Sequence, residues 1–188
     1  MPFQISEAAE ADLDRIVDIQ FAAFGPEPLQ RTLTPNGITT DDWNKARERH
    51  SKAIIEDPTV HFTKAIDMET NEIMGFSKWH IWEHERPESE WNRDEQREWG
   101  SDLLALCTDP KYQHRGAGTA LVKWGCEKAD EKGLPCYVEA SMTGYPIYRS
   151  CGFEDLERLE LDLGLYGGKG MDCHVCMIRP AKSGVRTV

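Results

Sequence analysis

Residues 103–118 read Leu-Leu-Ala-Leu-Cys-Thr-Asp-Pro-Lys-Tyr-Gln-His-Arg-Gly-Ala-Gly. The unbroken apolar run, closed by Asp-Pro, predicts a buried strand over 103–108. A helical pattern begins at the glycines and continues to Lys132, and Gly133 marks its C-terminal end. The first amides of a helix have no intrahelical acceptor and lie at the positive end of its dipole. A strand, a short loop and a helix in this order therefore predict an anion-binding loop.

The composition of this loop suits a phosphate group. Gly116 and Gly118 have no Cβ atom, so the backbone can approach a phosphate closely, and His114 and Arg115 add side-chain donors. Two common phosphate loops do not fit. The chain has no Gly-x-x-x-x-Gly-Lys-Ser/Thr, and Leu121 stands where Gly-x-Gly-x-x-Gly needs its third glycine. An ordinary helix start after a turn is the alternative to an anion site.

The size and composition of the chain predict a single globular domain. It has 188 residues, of which 39% are hydrophobic and 29% charged. We expect one domain over residues 1–188, with a core over about 3–179 and a flexible tail over 180–188. No apolar run approaches the roughly 20 residues that cross a bilayer, and the N-terminus does not resemble a secretion signal. The expected location is cytoplasmic, without a membrane partner.

Charge and cysteine usage narrow the possible partners. The formal net charge of −11 argues against a nucleic-acid partner, which requires clustered Lys and Arg. An acidic surface favours cationic substrates, although it can also serve solubility alone. Six cysteines lie in apolar or strand-like stretches, as expected for reduced, buried thiols. Cys173 and Cys176 have a CxxC spacing, but no second pair matches it, so we expect no metal.

Hydrophobic periodicity assigns the rest of the chain. It predicts strands over 3–5, 60–67, 72–82, 136–141, 156–163 and 171–179, and helices over 13–24, 41–56 and 144–150. Residues 25–40 read as a loop. Residues 83–98 carry seven acids against three arginines and read as a loop or short helix. This segment is either a solvated charged face or an acidic wall that attracts an amine.

Residues 137–153 read Tyr-Val-Glu-Ala-Ser-Met-Thr-Gly-Tyr-Pro-Ile-Tyr-Arg-Ser-Cys-Gly-Phe. Together with Gln-x-x-Gly-x-Gly at 113–118, this segment resembles the two signatures of the GNAT family of N-acetyltransferases. Tyr148 falls on the signature tyrosine, and Gly152-Phe153 falls on the Gly-Phe that follows it. The resemblance is close over about residues 60–155 and looks most like fungal members. Two residues depart from it, because many relatives have Arg at Gln113 and Asn at Ser141.

The resemblance implies the α/β (α+β) GNAT acyl-CoA N-acyltransferase fold, a mixed, mostly antiparallel splayed sheet of about six to seven strands flanked by about four helices. Strands 103–108 and 136–141 would splay apart and accept the pantetheine arm of acetyl-CoA between them. The implied partners are acetyl-CoA, as acetyl donor, and an amine, with no metal, in a monomer or homodimer. The implied cofactor-binding residues are Leu106, Cys107, Thr108, Gln113, His114, Arg115, Gly116, Ala117, Gly118, Thr119, Ser141, Tyr145 and Tyr148.

The implied activity is transfer of an acetyl group to a primary amine, of a small molecule, by direct attack in a ternary complex. Tyr148 is the expected acid for the leaving thiolate, since a phenol stays protonated at neutral pH, and the alternative is a tyrosine that only lines the groove. The Cys107 amide would polarise the thioester, and no cysteine nucleophile is required. Glu139 is the expected base if burial raises its pKa, with Asp102 and His80 as rivals. A protein or peptide acetyltransferase and a silent acyl-CoA-binding module are the alternative functions.

Overall fold

The computed structural model describes residues 2–82 and 100–182. The predicted acidic segment 83–98 and the end of the predicted tail lie outside the described residues. The strands are β1 (Phe3–Glu7), β2 (Val60–Asp67), β3 (Ile73–Trp82), β4 (Gly100–Thr108), β5 (Cys136–Ser141), β6 (Glu154–Asp162) and β7 (Met171–Arg179). The helices are α1 (Leu13–Phe24), α2 (Pro28–Leu33), α3 (Thr40–Glu56), α4 (Ala117–Glu131) and α5 (Tyr145–Ser150).

The strands form one seven-stranded sheet in the order β1-β2-β3-β4-β5-β7-β6. Within it β4 and β5 are parallel, and every other neighbouring pair is antiparallel. The predicted mixed, mostly antiparallel sheet is therefore confirmed. The connection between the parallel strands runs through α4, as a parallel pair requires a crossover. None of the described helices is long and apolar enough to cross a membrane.

Helix α2 corrects the prediction that residues 25–40 form only a loop and raises the number of described helices from about four to five. Pro28 occupies its first turn, where a fixed φ and a missing N–H are tolerated. The Thr32 hydroxyl donates to the Pro28 carbonyl at 2.9 Å. The helix is only six residues long and has no buried residue, so hydrophobic periodicity gave no signal for it.

Helices cover both faces of the sheet. On one face, Val122 and Cys126 of α4 pack against Trp79 and Val138. Gly125 is required there, because a Cβ atom would lie 2.0 Å from the buried Trp79 ring. On the other face, an apolar row of α1 packs against Phe62, Phe76 and Cys107; the row consists of Leu13, Ile16 and Ile19. The side-chain period of two in a strand places Phe76 and Trp79 of β3 on these opposite faces.

His50 of α3 is a buried histidine in this second layer. Its ring packs edge-on against Phe62, with centroids 5.1 Å apart, and its Nε2–H donates to the Gln20 side-chain oxygen at 2.6 Å. Nδ1 has no hydrogen-bond partner in the described part of the chain. Burial, reinforced by the charges of Lys78 and Arg49, lowers the pKa of His50 to about 4. The imidazole is therefore neutral at physiological pH.

We expect acid to destabilise the fold through His50. Its folded pKa lies below the unfolded value of about 6.5, so the stabilisation is complete above pH 6.5 and is lost as pH falls towards 4. The loss amounts to at most about 3 kcal/mol. Urea unfolding at pH 7.5 and 4.5 should show a smaller pH effect in His50→Asn than in the wild type, and no such difference in His61→Asn. Equal pH effects in the wild type and His50→Asn would contradict this role.

Candidate active site

The site begins where two parallel strands separate. β4 and β5 pair only at Ser101–Cys136, Asp102–Tyr137 and Leu103–Val138. Beyond these pairs β4 remains bound to β3, and β5 remains bound to β7 as far as Ser141. The strands therefore diverge, as the predicted splay requires. A cavity of about 840 Å³ lies in the resulting gap.

A β-bulge marks the point of divergence. The β3–β4 register shifts between Lys78 and Trp79, whose partners are Ala105 and Leu103, so Leu104 has no partner on β3. A bulge adds a residue to one strand and bends it. The Leu104 side chain is 48% exposed and lines the cavity. The bulge thus turns β4 away from β5 at the first residue after their last pair.

Strand alternation decides which backbone groups of β4 face the gap. The Asp109 amide donates to the Met74 carbonyl at 2.9 Å, so the peptide groups of Cys107, two residues earlier, also point towards β3. Those of Leu106 and Thr108 point the other way, into the gap. Both residues line the cavity, in agreement with their predicted place.

Cys107 requires a correction. Its amide lies in the β3–β4 ladder, so it is not available to polarise a thioester, and its side chain is buried in the α1 layer rather than along the cavity. Burial raises the pKa of the Cys107 thiol well above its usual value. The thiol therefore stays protonated, which agrees with a reaction that uses no cysteine nucleophile.

The loop between β4 and α4 is the segment predicted to be an anion cradle. Gly116 is the N-cap of α4 in a left-handed conformation (φ 86°), and no side chain caps this helix end. In the described chain, no protein group accepts a hydrogen bond from the backbone amides of residues 116–119. These amides and the helix dipole can therefore serve an anion. The cavity is lined here by Gln113, His114, Gly116, Ala117, Gly118 and Thr119.

Asp109 and Arg15 hold this loop in place. The Asp109 carboxylate accepts from the Lys111 amide at 2.9 Å and from the Arg15 guanidinium, which also donates to the Ile73 carbonyl at 3.2 Å. Partial burial opposes ionisation of Asp109, but these two donors outweigh it and lower the pKa of the carboxyl. Arg15 lies on α1, far away in sequence, and no local pattern predicted this role.

Two predicted side chains lie elsewhere. The Arg115 guanidinium lies over the Tyr112 ring, 5.1 Å from its centroid, and donates to the Lys111 carbonyl at 3.3 Å, outside the cavity lining. The Tyr145 hydroxyl donates to the Asp155 carboxylate at 3.0 Å in a separate surface groove. The family resemblance implied that both residues bind the cofactor, but their own partners hold the side chains elsewhere.

Tyr148 lies along the cavity as predicted. It is 6% exposed, and its ring packs edge-on against Phe153, with centroids 5.9 Å apart. Among the described residues, none hydrogen-bonds its hydroxyl. Burial raises the pKa of the phenol well above its usual value, with smaller contributions from Cys107 and Cys151. The hydroxyl therefore remains a proton donor at neutral pH.

The expected bases differ in their surroundings. Glu139 lines the cavity but is exposed, so the burial that we expected to raise its pKa is not found. Its carboxylate accepts from the Tyr137 hydroxyl at 3.4 Å. Asp102 is 7% exposed and lines the cavity, whereas His80 lies outside the lining, with Nδ1 3.5 Å from the Thr59 hydroxyl. Ser141 lines the cavity, and its hydroxyl oxygen accepts from the Gly144 amide at 3.3 Å.

The far wall of the cavity was not predicted. It includes Phe24, the last residue of α1, and Glu27, which precedes α2, together with Thr143 and His174. The Thr143 hydroxyl donates to the Glu27 carboxylate at 3.2 Å and joins two segments 116 residues apart. Such a distant contact leaves no signal in a local sequence pattern. Among residues 2–82 and 100–182, no group of three or more His, Cys, Asp or Glu side chains is placed to hold a metal ion.

The family model of acetyltransferases known as GNAT matches residues 19–153, which include both the loop before α4 and the Tyr148 segment. The chain belongs to the GNAT family. The resemblance seen in the two signatures is therefore confirmed. The seven-stranded mixed sheet with its splayed β4 and β5 is the fold of GNAT acyl-CoA N-acyltransferases.

Solved GNAT structures share this fold across the whole chain. A histone acetyltransferase HPA2 and related acetyltransferase from Corynebacterium glutamicum is 22% identical, with a TM-score of 0.71 and 100% of both chains covered. A Sinorhizobium meliloti phosphinothricin acetyltransferase, in complex with acetyl-CoA, is 17% identical, with a TM-score of 0.67 over 100% of this chain and 93% of that one.

A third solved structure is the ribosomal-protein-alanine N-acetyltransferase from Brucella melitensis. It is 18% identical, with a TM-score of 0.65 over 94% of this chain and 99% of that one. No protein with a curated description matches the sequence significantly. At these identities the similarities establish the fold.

Proposed function

We propose that this GNAT protein is an acetyl-CoA-dependent N-acetyltransferase that acetylates a primary amine of a small molecule by direct attack. The observation that carries the proposal is one continuous cavity. It joins the uncapped N-terminus of α4, the open edge of β4 and the protonated phenol of Tyr148. The acetyl-CoA complex of the Sinorhizobium relative supports this choice of donor.

The cavity offers groups suited to two parts of acetyl-CoA, the pyrophosphate and the pantetheine arm. The amides of residues 116–119 suit the pyrophosphate, and a Cβ atom at Gly116 would meet no protein atom within 4 Å, so the loop leaves space there. Leu106 and Thr108 present peptide groups to the amides of the pantetheine arm. Bound acetyl-CoA supplies a thioester carbon for attack by the amine.

Tyr148 is the proposed general acid. Departure of the thiolate requires a proton, and the phenol holds one at neutral pH because burial raises its pKa. Phe153 fixes the ring, and a Cβ atom at Gly144 would approach the ring to 2.9 Å, so the glycine gives the phenol its position. The hydroxyl lacks a partner among described residues and is therefore free to donate to a ligand.

The acidic residues that line the cavity favour a small, positively charged acceptor. Asp102, Glu27 and Glu139 line the cavity, and none of the residues described in its lining is Lys or Arg. An ammonium group is attracted there, whereas a carboxylate on the acceptor would be repelled. The Thr143–Glu27 hydrogen bond narrows this side, which favours a small molecule over a chain. The Brucella relative is named for a ribosomal protein, so an N-terminal peptide is the second candidate.

Calorimetric titration tests the donor. We expect the protein to bind acetyl-CoA and to bind NAD and ATP at least about tenfold more weakly, since only acetyl-CoA fills the gap as well as the anion loop. A thiol-release assay should then detect turnover with 2-phenylethylamine, spermidine or an alanine-starting peptide. Binding without turnover on any amine would indicate a silent acyl-CoA-binding module. No acetyl-CoA binding would overturn the proposal.

Tyr148→Phe tests the acid. The variant keeps the ring and its contact with Phe153 but loses the proton, so kcat should fall about 100-fold while the acetyl-CoA Kd stays within about twofold. Tyr145→Phe, which removes a hydroxyl outside the cavity, is the matched control and should retain wild-type kcat. An unchanged kcat in Tyr148→Phe would remove the acid role.

Gly116→Ala tests the anion loop. Gly116 and Gly167 both have left-handed φ values, 86° and 81°, and a Cβ atom at either would meet no protein atom within 4 Å. Both alanine variants should lose about 1 kcal/mol of stability from backbone strain. Because Gly116 alone of the two lines the cavity, its variant should bind acetyl-CoA about tenfold or more weakly, and Gly167→Ala should bind normally. Equal affinities would contradict the cradle.

A further inference from the structure

His174 lines the cavity together with Glu27 and Thr143. It is not among the residues that the sequence assigned to the site. On β7 it pairs directly with Ser141 of β5, so the two side chains share one face of the sheet. The imidazole lines the same cavity as Tyr148 and Glu27, and its side chain is 23% exposed. A titratable ring is therefore in contact with the cavity while remaining largely shielded from solvent.

Asp172 orients this ring. It lies two residues earlier on β7 and hence on the same face, and its Oδ2 is 3.6 Å from His174 Nε2. The other carboxylate oxygen accepts from the Cys173 amide at 2.9 Å, which fixes the carboxylate. The side chain of Asp172 is only 14% exposed. Its contact with Nε2 directs this nitrogen towards β7 and leaves Nδ1 on the other side of the ring.

The opposite ring nitrogen is available for a ligand. In the described part of the chain, the His174 imidazole has the Asp172 contact and no hydrogen bond, so Nδ1 is unpaired. Two of the three other expected bases are less suited. Glu139 is exposed and accepts from Tyr137, and His80 does not line the cavity. Histidine is also the side chain whose ordinary titration lies nearest to neutral pH.

We propose that His174 is the general base that deprotonates the acceptor ammonium and that Asp172 is its positioning residue. This role rests on the proposed N-acetyltransferase function. His174 Nδ1 takes one proton from the ammonium, and the nitrogen lone pair then forms the C–N bond with the thioester carbon. The C–S bond breaks with its electron pair on sulfur, which takes the Tyr148 proton.

The proton balance closes with one proton released for each acetyl group transferred. The attacking nitrogen loses its second proton to the Tyr148 phenolate through water, which restores the acid. The His174 imidazolium releases its proton to solvent, which restores the base. The two protons that leave the ammonium thus end on coenzyme A and in bulk water.

Several acidic residues lie around His174 in the cavity or on the same sheet face. Asp172 faces it from β7, Glu139 from β5 and Glu27 from just before α2, and Asp102 lies in the same cavity wall. Glu157 of β6 pairs with Cys176, two residues beyond His174 on the same face of β7. Removing Asp172, the one in direct contact, should therefore have a clear but partial effect.

The test is the pH profile of kcat/KM between pH 5.5 and 9.5 with the same three amines. His174→Gln should lower kcat/KM about 100-fold at pH 7, and the loss should shrink towards pH 9.5, where solvent supplies more free amine. Asp172→Asn should lower kcat/KM less, about tenfold, and shift the acidic limb of the profile to lower pH. Acetyl-CoA affinity, measured by calorimetry, should be unchanged in both variants.

His61→Gln is the matched control, because His61 lies on β2 against Trp124, away from the cavity, and its profile should match the wild type. A His174→Gln profile identical to the wild type, or reduced equally at every pH, would overturn the base role alone. Loss of acetyl-CoA binding in this variant would also overturn it, in favour of a structural role. A wild-type protein that acetylates none of the three amines would overturn the proposed function and, with it, this role.

Discussion

The early end of the β4–β5 pairing is the constraint on which the site depends. After Leu103 and Val138 the two strands have no shared ladder, and each is held by its outer neighbour instead. The outer ladders hold β4 beside β3 and β5 beside β7, so the two halves of the sheet keep their own directions beyond the last shared pair. The peptide groups of Leu106 and Thr108 on the open edge of β4 are not used by the β3 ladder. These exposed peptide groups can bind a ligand that supplies the missing hydrogen bonds.

The surrounding helices keep the gap open from both ends. Gly118, in the first turn of α4, would place a Cβ atom 3.4 Å from Ile147 of α5 and 3.5 Å from the Thr108 hydroxyl, so the two helices and β4 already meet closely there. At the start of the loop that precedes α4, Asp109 forms a salt bridge with Arg15 of α1. The loop proposed to bind the anion is thus in contact with the sheet, with α1 and with α5.

Local signals in the sequence predicted most of the scaffold. The apolar run before Asp109, the glycines at 116 and 118 and the periodicity of α1, α3 and α4 each depend on neighbours a few residues away. The direction of individual side chains depends on strand register and on distant partners instead. Glu139 was expected to be buried because its neighbours are apolar, yet alternation places it on the cavity face while Val138 and Ala140 enter the core. Tyr145 was expected to bind the cofactor, but its hydroxyl donates to Asp155 instead, and the local sequence pattern does not predict this contact.

The alternation of β5 and β7 also separates the proposed chemistry into two faces. Val138, Ala140 and Val175 pack with Tyr148 on the α4 side of the sheet. Ser141 and His174 lie on the opposite side, with the end of α1. Residues from both sides line one cavity, so the cavity passes through the sheet where β4 and β5 part. Tyr148, the proposed acid, and His174, the proposed base, thus lie on opposite faces of the sheet and line the same opening.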